Sequence, residues 1–440
     1  MINGFISFIG CNNVYPYLEK ALKEMKHRAW HGYLIEGNKN IIVSCLKDLH
    51  HKKISGKILS GYCLQKVFQG EKTFLIHGKI YHHKTQNNFS EIIQTDKDPA
   101  KIADSLREVE GEYAFVTQKD DGLVFARDPL GVKPLFIGRK EGLIGISSEA
   151  KALRAVGLEP KSVSPGFVYY IDLFNLDKFI IKRIEQSNYL NVDLNESAET
   201  VLNLLQKSIK KRLKSKKIAI AFSGGIDSSL LAILSSEISE VKLISVYAEG
   251  SKDEIDTKHS AKSLGLDFIG ICITEKKIIK RINSLIEPQN PMNLAIGLAI
   301  NEVALVANDI GCNELILGQL ADELFGGYMK YLQAYKTKGY NEAHIMMIND
   351  TQISYKNNFE RDELAASPYT ELLLPYASFD LAKYALSLHP NLKINIENND
   401  RKIVLREAAL KAGLPVEIVF KPKKALQYST NLQKLIKTVM

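Results

Sequence analysis

The residues with the clearest chemical potential lie in the sequence AFSGGIDSS, residues 221–229. The segment follows the strand-like run KIAIAF and opens a helix-like run. Gly224 and Gly225 allow the backbone to approach phosphate oxygens closely, and the helix that follows presents unpaired N–H groups to an anion. Asp227 is suited to hold the magnesium ion that accompanies ATP. Hydroxyl donors are available from three further residues of the loop, Ser223, Ser228 and Ser229.

The loop lacks the GK[ST] ending of a Walker A motif, which serves transfer of the terminal phosphate. It suits instead a nucleotide from which pyrophosphate leaves. The alternative interpretation is an ordinary tight turn between a strand and a helix, with the serines and the aspartate serving as caps. An SGG sequence alone does not decide between the two.

A second motif favours the nucleotide site. ELILGQLADELFGGY, residues 314–328, again places an apolar strand before a polar loop and a helix start. In a doubly wound sheet, loops at the carboxyl ends of neighbouring strands converge on one crevice. We therefore expect Asp322 and Glu323 to add carboxylates beside Asp227, as metal binding at a pyrophosphate requires.

The elements that must position these loops fall into two predicted domains, residues 1–185 and 190–440. Each is close to the roughly 200 residues that one core usually fills. The first contains short β-branched and aromatic runs separated by glycine and charged turns, which predicts antiparallel strands. From about residue 217, strand and helix patterns alternate, which predicts a parallel sheet with right-handed crossovers. The polar stretch 186–199 is the natural boundary.

Together, SGGIDSS and ADELFGGY resemble the synthetase domain of the asparagine synthetase family, which has the fold of a PP-loop ATP pyrophosphatase. Further matches follow in the family's order along nearly the whole chain: GEYAFVTQKDDGLVFARDPLGVKPLF (111–136), ISSEAKAL (146–153), RDELAASPYTELLLPYASFD (361–380), KIVLREAALKAGLP (402–415) and KPKKALQYS (421–429).

The fold class that this resemblance implies is a two-domain α/β and α+β protein. An N-terminal Ntn-type sandwich of antiparallel sheets, similar to a type 2 glutamine amidotransferase domain, precedes a doubly wound parallel sheet of the PP-loop (adenine nucleotide alpha hydrolase-like) type.

The resemblance also implies the reaction. A substrate carboxylate attacks the α-phosphate of MgATP, which gives an acyl-AMP and pyrophosphate, and an amine then attacks the acyl group. The SGGIDSS loop would hold the pyrophosphate, and Asp227 and Asp322 match the magnesium ligands. Lys423 matches the family lysine that neutralises charge around the adenylate, for which a compact ammonium is suited. The alternative for Lys423 is a solvated lysine in a basic run.

Two further segments belong to the predicted site. YAEGSKD, residues 247–253, falls where the family binds adenosine, with Asp253 as its matching residue. In the GEGADE-type loop, Gly318 is assigned to nucleotide binding, but the family's following glutamate is Gln319 here. A carboxylate at this catalytic position could accept a proton from the incoming amine, and an amide cannot. Either another base serves, or the nucleophile differs.

The substrate side departs as well. Where the family usually has a version of GLEVRVPFLD, this chain has YTELLLPYASFD, without the arginine and the glycine. An arginine beside a carboxylate site is readily explained as a clamp. Its loss leaves the identity of the acid, with aspartate as the default, open.

The N-terminal half lacks the parts of a glutaminase. Class II amidotransferases use an N-terminal cysteine whose free amine serves as the local base. The family's opening resembles MCGIxGxxG, whereas MINGFISFIG has Asn3 before the matching Gly4 and no thiol. In FLIHGKIYHH, His77 replaces the amide-bearing residue of the oxyanion pocket, although the backbone of Gly78 could still donate. We find no counterpart of the glutamine-clamping arginine in residues 55–68 and expect that this domain has lost glutamine hydrolysis.

Composition excludes several other classes of protein. The chain is 45% hydrophobic and 25% charged, as in ordinary globular proteins. No run approaches about 18 apolar residues, and the apolar start lacks a basic leader and a cleavage site, so we expect no membrane segment and a cytoplasmic location. The cysteines have no CxxC or His-paired spacing, which argues against disulfides or zinc: Cys11, Cys45, Cys63, Cys272 and Cys312. We interpret His77, His82 and His83 as strand-end histidines rather than metal ligands.

The net charge of +8 is concentrated in KSIKKRLKSKK, residues 207–217, which has seven cations in eleven positions. Nucleic-acid binding is one interpretation of such a segment. No aromatic residues are interleaved for base stacking, so we favour an amphipathic helix with a solvated outer face. Its apolar stripe would be Val201, Leu202, Leu205, Ile209 and Leu213.

The favoured hypothesis is a ligase that uses ATP and Mg2+ to join ammonia to aspartate or another carboxylic acid. The ammonia would be free or delivered by a separate glutaminase, and a homodimer is left open. The same adenylating chemistry on a different acid and amine, as in the β-lactam synthetases, is the main alternative, and Gln319 and the altered acceptor segment favour it. A tRNA-modifying PP-loop enzyme and a non-catalytic regulator are the others. The absence of paired cysteines argues against the first, and the intact loop and lysine argue against the second.

Overall fold

This computed structural model of the chain describes residues 4–28, 31–36, 39–43, 56–64, 74–83, 93, 98–248, 251, 253–274 and 291–421. The chain divides into two compact units, Met1–Arg183 and Ile184–Met440. Within the described ranges, no helix is both long and apolar enough to cross a membrane.

The N-terminal unit is built on two antiparallel sheets. Its strands are β1 (Gly4–Gly10), β2 (His31–Glu36), β3 (Lys39–Val43), β4 (Ile58–Leu64), β5 (Phe74–His83), β6 (Val109–Lys119), β7 (Gly122–Arg127), β8 (Phe136–Lys140), β9 (Leu143–Ser147), β10 (Lys161–Ser162), β11 (Phe167–Ile171) and β12 (Leu176–Ile180). The first sheet has the strand order β10-β8-β9-β1-β4-β2-β3 and the second the order β12-β11-β7-β6-β5.

These sheets pack face to face with helices on their outer sides. The helices are α1 (Tyr15–Glu24), α2 (Pro99–Leu106) and α3 (Ala150–Ala155). Because side chains alternate along a strand, Phe5 and Ile9 of β1 join an apolar cluster shared with the second sheet. Ile6 and Phe8 of the same strand pack instead with residues of α1 and α3. The predicted sandwich of antiparallel sheets is confirmed.

A five-stranded parallel sheet forms the centre of the C-terminal unit. Its strands are β13 (Lys217–Ala221), β14 (Glu240–Ala248), β15 (Asp267–Ile273), β16 (Glu314–Ile316) and β17 (Glu371–Leu373), in the order β15-β14-β13-β16-β17. Ile218, Ile220, Leu243 and Leu315 are fully buried, as expected of central strands that are covered on both faces. The predicted parallel sheet is confirmed.

Helices and two short strands surround this sheet. They are α4 (Leu194–Arg212), α5 (Ile226–Ser236), α6 (Asp253–Ser263), α7 (Pro291–Asp309), α8 (Ala321–Phe325), α9 (Met329–Lys338), α10 (Tyr340–Ser354), α11 (Glu360–Ala366), α12 (Phe379–Ser387), α13 (Ile403–Lys411), α14 (Val416–Val419), β18 (Ile394–Asn395) and β19 (Asp400–Arg401). A single π-helical turn, Tyr355–Phe359, joins α10 to α11.

The strand order reverses between β13 and β16. β13 pairs with β14 on one side and with β16 on the other, all in parallel. In sheets of this kind the ligand crevice lies outside the carboxyl ends of the two strands at which the order reverses. The loops that leave β13 and β16 therefore define the expected position of the site.

Residues 207–212 of the basic segment form the last turns of α4, and Lys217 begins β13. Val201, Leu205 and Ile209 are fully buried, whereas Leu202 is half-buried, so the helix is amphipathic as predicted. Arg212 is buried as well and donates to the side chain of Ser208 at 2.6 Å. One of the seven cations therefore stabilises the packing of the helix instead of extending into solvent.

Candidate active site

The SGG loop connects β13 to the amino end of α5. Gly224 has φ of 67°, a left-handed value that glycine adopts without strain. A Cβ at Gly224 would lie 3.2–3.3 Å from Thr257 and Ser260, so the loop also passes close to α6. Gly225 is the N-cap residue of α5, and Asp227 lies in the first turn. The loop thus has the strand–turn–helix context that its sequence predicted.

The serines of the loop differ in their exposure. Ser223 is exposed, and its hydroxyl is 3.1 Å from that of the buried Ser228. Ser228 also accepts from the backbone N–H of Ser223 at 3.2 Å. Ser229 is fully buried. Ser223 is therefore the hydroxyl of this set that is accessible to a ligand from solvent, and Ser228 holds the loop in shape.

Asp227 and Asp322, the two predicted metal ligands, are brought together at the reversal of strand order. Asp227 follows β13, and Asp322 follows β16 in the first turn of α8. Both carboxylates contact one ammonium group: Nζ of Lys402 lies 2.5 Å from each oxygen of Asp227 and 2.6 Å from Oδ1 of Asp322. Lys402 is 4% exposed, and burial alone would lower its pKa. The two carboxylates outweigh burial, and the pKa of Lys402 is raised.

Lys402 is the principal residue that sequence reasoning missed. It precedes α13 with φ of 60° and ψ of 35°, in the left-handed region. The segment KIVLREAALKAGLP drew attention as part of the family resemblance, but a lysine before an amphipathic helix has no signature of its own. Its neighbour Arg401 donates from Nη1 to the carbonyl of Gly327 at 2.6 Å. Arg401, the last residue of β19, and Lys402, the next residue, therefore place two cations at the loop after β16.

Glycines make this close approach possible. A Cβ at Gly327 would collide with Oδ1 of Asp322 and with Cε of Lys402. A Cβ at Gly318 would lie 3.3 Å from Cβ of Asp227, so the loop after β16 packs against the first turn of α5. Gly318 therefore serves the geometry of the site through its lack of a side chain.

Glu323, which we expected beside Asp227, does not lie there. It is 3% exposed and accepts hydrogen bonds from the hydroxyl of Tyr328 at 3.0 Å and from Nδ2 of Asn358 at 3.2 Å. Adjacent residues of a helix point about 100° apart, since 3.6 residues make one turn. Asp322 therefore faces Lys402, while Glu323 faces the interior.

Gln319 lies next to a buried acid. Its Nε2 donates to Oδ2 of Asp362 at 2.6 Å. Asp362 is fully buried, and Arg361 donates to its other oxygen at 2.8 Å and 2.7 Å. Burial raises the pKa of Asp362, although Arg361 and the bond from Gln319 oppose this. Leu320, the next residue after Gln319, has φ of 78° and is buried, a strained conformation of the kind found at functional sites.

The remaining predicted residues are only partly within the described ranges. Asp253 begins α6, but its side chain lies outside them, and so does all of Lys423. Lys421, two residues earlier, donates to the carbonyl of Asp256 and the hydroxyl of Ser260, both at 3.1 Å. Ser260 in turn donates to the carbonyl of Gly224 at 3.2 Å. The start of the KPKKALQYS segment is therefore tied to the SGG loop.

A polar cluster occupies the N-terminal unit around His77. His77 is 3% exposed, with Nε2 3.5 Å from Nη1 of Arg28. The buried Glu149 pairs with Arg28, with His27 at 2.9 Å and with Lys151 at 3.2 Å. Burial alone would raise the pKa of Glu149, but Arg28 above all, with His27 and Lys151, holds it well below its usual range. Arg28 was also missed from the sequence, and its guanidinium is engaged by Glu149.

The backbone beside His77 is constrained. Gly78 has φ of 113°, and a Cβ there would collide with the carbonyl of Glu112. The side chains of His82 and His83 lie outside the described ranges. Among the residues that are described, no group of three or more His, Cys, Asp or Glu is placed to hold a metal ion.

Comparison with known proteins gives matches along both units. Residues 200–344 and 335–438 match the family model described as asparagine synthase, and residues 71–155 match a glutamine amidotransferase domain. A putative glutamine-hydrolysing asparagine synthetase of Methanocaldococcus jannaschii is 28% identical, over 88% of this chain and 83% of its own. A probable asparagine synthetase of Acanthamoeba polyphaga mimivirus is 26% identical over 75% and 65%, respectively, and that of Homo sapiens is 25% identical over 79% and 70%.

The asparagine synthase model extends over more than half of the 440 residues and includes Asp227, Asp322 and Lys402. Its match and the amidotransferase match occur in the order that the sequence motifs indicated. The chain belongs to the asparagine synthase family, whose members are ATP-dependent ligases that form C–N bonds.

Proposed function

We propose that this protein activates a carboxylic acid as its acyl-AMP, releases pyrophosphate and forms an amide with ammonia. The observation that carries the proposal is the convergence of the SGG loop, Asp227 and Asp322 where the strand order reverses. A loop without a Walker A lysine, at the amino end of a helix, suits a pyrophosphate that leaves.

The residues present fit a magnesium ion. Oxygens of Asp227 and Asp322 lie within 2.5–2.6 Å of one nitrogen, so both carboxylates can face a single cation. Mg2+ is usually bound by one or two carboxylates together with water and substrate phosphates, so a third protein ligand is not needed. When bound, the ion would neutralise charge on the phosphates.

The chain's own groups supply the rest of the phosphate site. The exposed Ser223 and the amino end of α5, where the helix dipole is positive, belong to the same loop. Arg401 and Lys402 add two cations at the loop after β16. In this proposal Lys423 neutralises the adenylate and Asp253 lies at the adenosine, as their motifs indicate.

The proton of the incoming amine requires an acceptor, and Gln319 cannot be one. Asp362 lies 2.6 Å from Gln319, and burial raises its pKa, which increases its affinity for a proton. We assign the accepting role to Asp362 and the positioning of the amine to Gln319.

We also propose that the N-terminal domain no longer hydrolyses glutamine, so that ammonia comes from solution or from a separate glutaminase. Asn3 stands where the nucleophilic thiol would be, before Gly4. His77 replaces an amide donor, and Arg28, the buried arginine beside it, is paired with Glu149.

A second candidate keeps the adenylation and changes the acid and the amine. It is favoured by Leu373, which is fully buried in β17 at the position where the family commonly has an arginine. A carboxylate clamp is therefore missing from that strand. Aspartate remains the default acid because the rest of the synthetase motifs are retained.

The test is pyrophosphate release from MgATP, with aspartate and a panel of other acids, and with ammonia or glutamine as nitrogen source. The proposal expects release that needs an acid and ammonia, AMP as coproduct, and none with glutamine. Asp227→Asn is the negative control, since it removes a ligand. Release with another acid but not with aspartate supports the second candidate, and ADP as product overturns both.

A further inference from the structure

The ammonium of Lys402 occupies the position between Asp227 and Asp322 that a divalent cation would take. Its three contacts with their oxygens are 2.5 Å, 2.5 Å and 2.6 Å. Mg2+ binds carboxylate oxygens at about 2.0–2.1 Å, so the ion and the ammonium cannot share this position. The lysine must leave for the ion to bind both carboxylates.

We infer that Lys402 is a built-in counter-ion that keeps divalent cations out of the site until nucleotide phosphates arrive. On binding, the ammonium transfers from the two carboxylates to phosphate oxygens, and the metal takes its place. This inference rests on the proposed function, because it requires a nucleotide to receive the ammonium.

Charge explains why the exchange depends on the nucleotide. Two carboxylates and one ammonium leave a single negative charge, and a divalent cation alone would displace a buried ammonium from the two carboxylates with which it pairs. An unpaired buried charge is costly. Phosphate oxygens remove this cost, because they offer the ammonium an equivalent partner at the moment when the metal enters.

The structure allows the side chain to move while its backbone stays fixed. Ile403 donates from its N–H to the carbonyl of Lys393 at 3.1 Å, and Arg401 donates to Gly327 at 2.6 Å. These bonds anchor the chain on both sides of Lys402. Lysine carries its charge on a flexible four-carbon stem, so a rotation of that stem suffices to redirect the ammonium.

The test measures Mn2+ binding to the full chain without nucleotide, from the electron paramagnetic resonance signal of free Mn2+. Lys402→Met is compared with the wild type and with the control variant Lys411→Met. Lys411 is an exposed lysine of α13 that pairs with Glu199 at 3.1 Å. We expect Lys402→Met to bind Mn2+ at least about tenfold more tightly than the wild type, and Lys411→Met to be unchanged. The double variant Asp227→Asn, Lys402→Met should lose this gain, which places the ion at the carboxylates.

Two further measurements keep the outcomes distinct. Melting temperatures establish that the variants fold, and Lys402→Gln replaces Lys402→Met if the latter does not. Adding α,β-methylene-ATP should raise the affinity of the wild type for Mn2+ and have a smaller effect on Lys402→Met. Equal Mn2+ affinity of wild type and Lys402 variants without nucleotide overturns the inference. Tight Mn2+ binding by the Lys402 variants with no response to the nucleotide analogue in any variant supports the counter-ion and overturns the proposed function.

Discussion

The side chain of Gln319 donates a hydrogen bond to Asp362 over 2.6 Å, so the loop position that commonly carries a carboxylate in this family is in contact with one from α11. The acid is thus present near the predicted position, but it comes from a segment 43 residues further along the chain. An amide is a suitable neighbour for this carboxylate, because it can donate to it, whereas a second carboxylate cannot.

Replacing Gln319 with glutamate would therefore place two carboxylates in contact. We expect Gln319→Glu to lower the free energy of unfolding by about 1–3 kcal/mol at pH 8, from repulsion and a lost donor. At pH 5 the loss should be smaller, because burial and repulsion increasingly favour protonation of one carboxyl of the pair as the pH falls. Urea denaturation at the two pH values measures this. Asp362→Asn in the Gln319→Glu background should restore stability, and an equal loss at both pH values would contradict the pairing.

The two glycines of the SGG loop should respond differently to alanine. Gly225 has φ of −94°, which alanine adopts freely, and a Cβ there would lie 3.5 Å from Ser223 Oγ. Gly225→Ala should melt like the wild type while pyrophosphate release falls about tenfold or more, because the methyl group obstructs the phosphate. Gly224→Ala should lower both the melting temperature and pyrophosphate release, because Gly224 has a left-handed φ and a Cβ there would lie close to Thr257 and Ser260. Unchanged release by Gly225→Ala would place the phosphate elsewhere.

Lys393 should make the stability of the chain depend on pH in the neutral to alkaline range. It is fully buried, and burial lowers its pKa from the ordinary 10.5 to about 7. Between these values the unfolded chain binds more protons than the folded chain, so stability should rise as the pH increases from 7 to 10. The histidines beside it, His344 and His389, have lowered pKa values and stay neutral in that range.

Lys393→Met should remove this rise in the free energy of unfolding, which we expect to amount to about a few kcal/mol between pH 7 and pH 10. Urea denaturation of both proteins at intervals of pH measures the difference. The alkaline titration of tyrosines is common to both proteins and cancels in the comparison. If the free energies of unfolding of wild type and variant change with pH in parallel, Lys393 keeps its charge when it is buried.

Removing only one partner of the Arg28–Glu149 ion pair should destabilise the fold strongly. Arg28→Met leaves the buried Glu149 without its first counter-charge, for which we expect a loss of about 3–5 kcal/mol. The double variant Arg28→Met, Glu149→Leu should lose less than Arg28→Met alone. Fluorescence of the single tryptophan, Trp30, can follow urea denaturation. Because the pKa of Glu149 is lowered, the stabilisation should be present above pH 4.5 and fade as the pH falls further. A larger loss in the double variant would mean that packing dominates.

The sequence alone predicts the parallel sheet and the proximity of Asp227 to Asp322. Both aspartates follow strand patterns directly, and the topology of doubly wound sheets brings such loops together. Glu323 shows the limit of this reasoning, because one further residue of helix turns the side chain into the interior.

Lys402, Asp362 and Arg28 could not be found by the same route. Each lies on or beside a helix whose sequence is ordinary, and each acquires its role through a contact with a distant segment: Lys402 with Asp227 is separated by 175 residues, and Arg28 with Glu149 by 121. Local patterns carry no information about such partners.

These separations also bear on the synthesis of the protein. The site combines residue 227, residue 322 and residue 402, so two of its three charged groups leave the ribosome long after the first. Until Lys402 has emerged, the ion pairs that join the two aspartates through its ammonium cannot form, and the loop that contains Gly224 and Gly225 is not yet part of a complete site. The complete charged cluster can therefore form only after the strand pair β18–β19 and Lys402 have been synthesised.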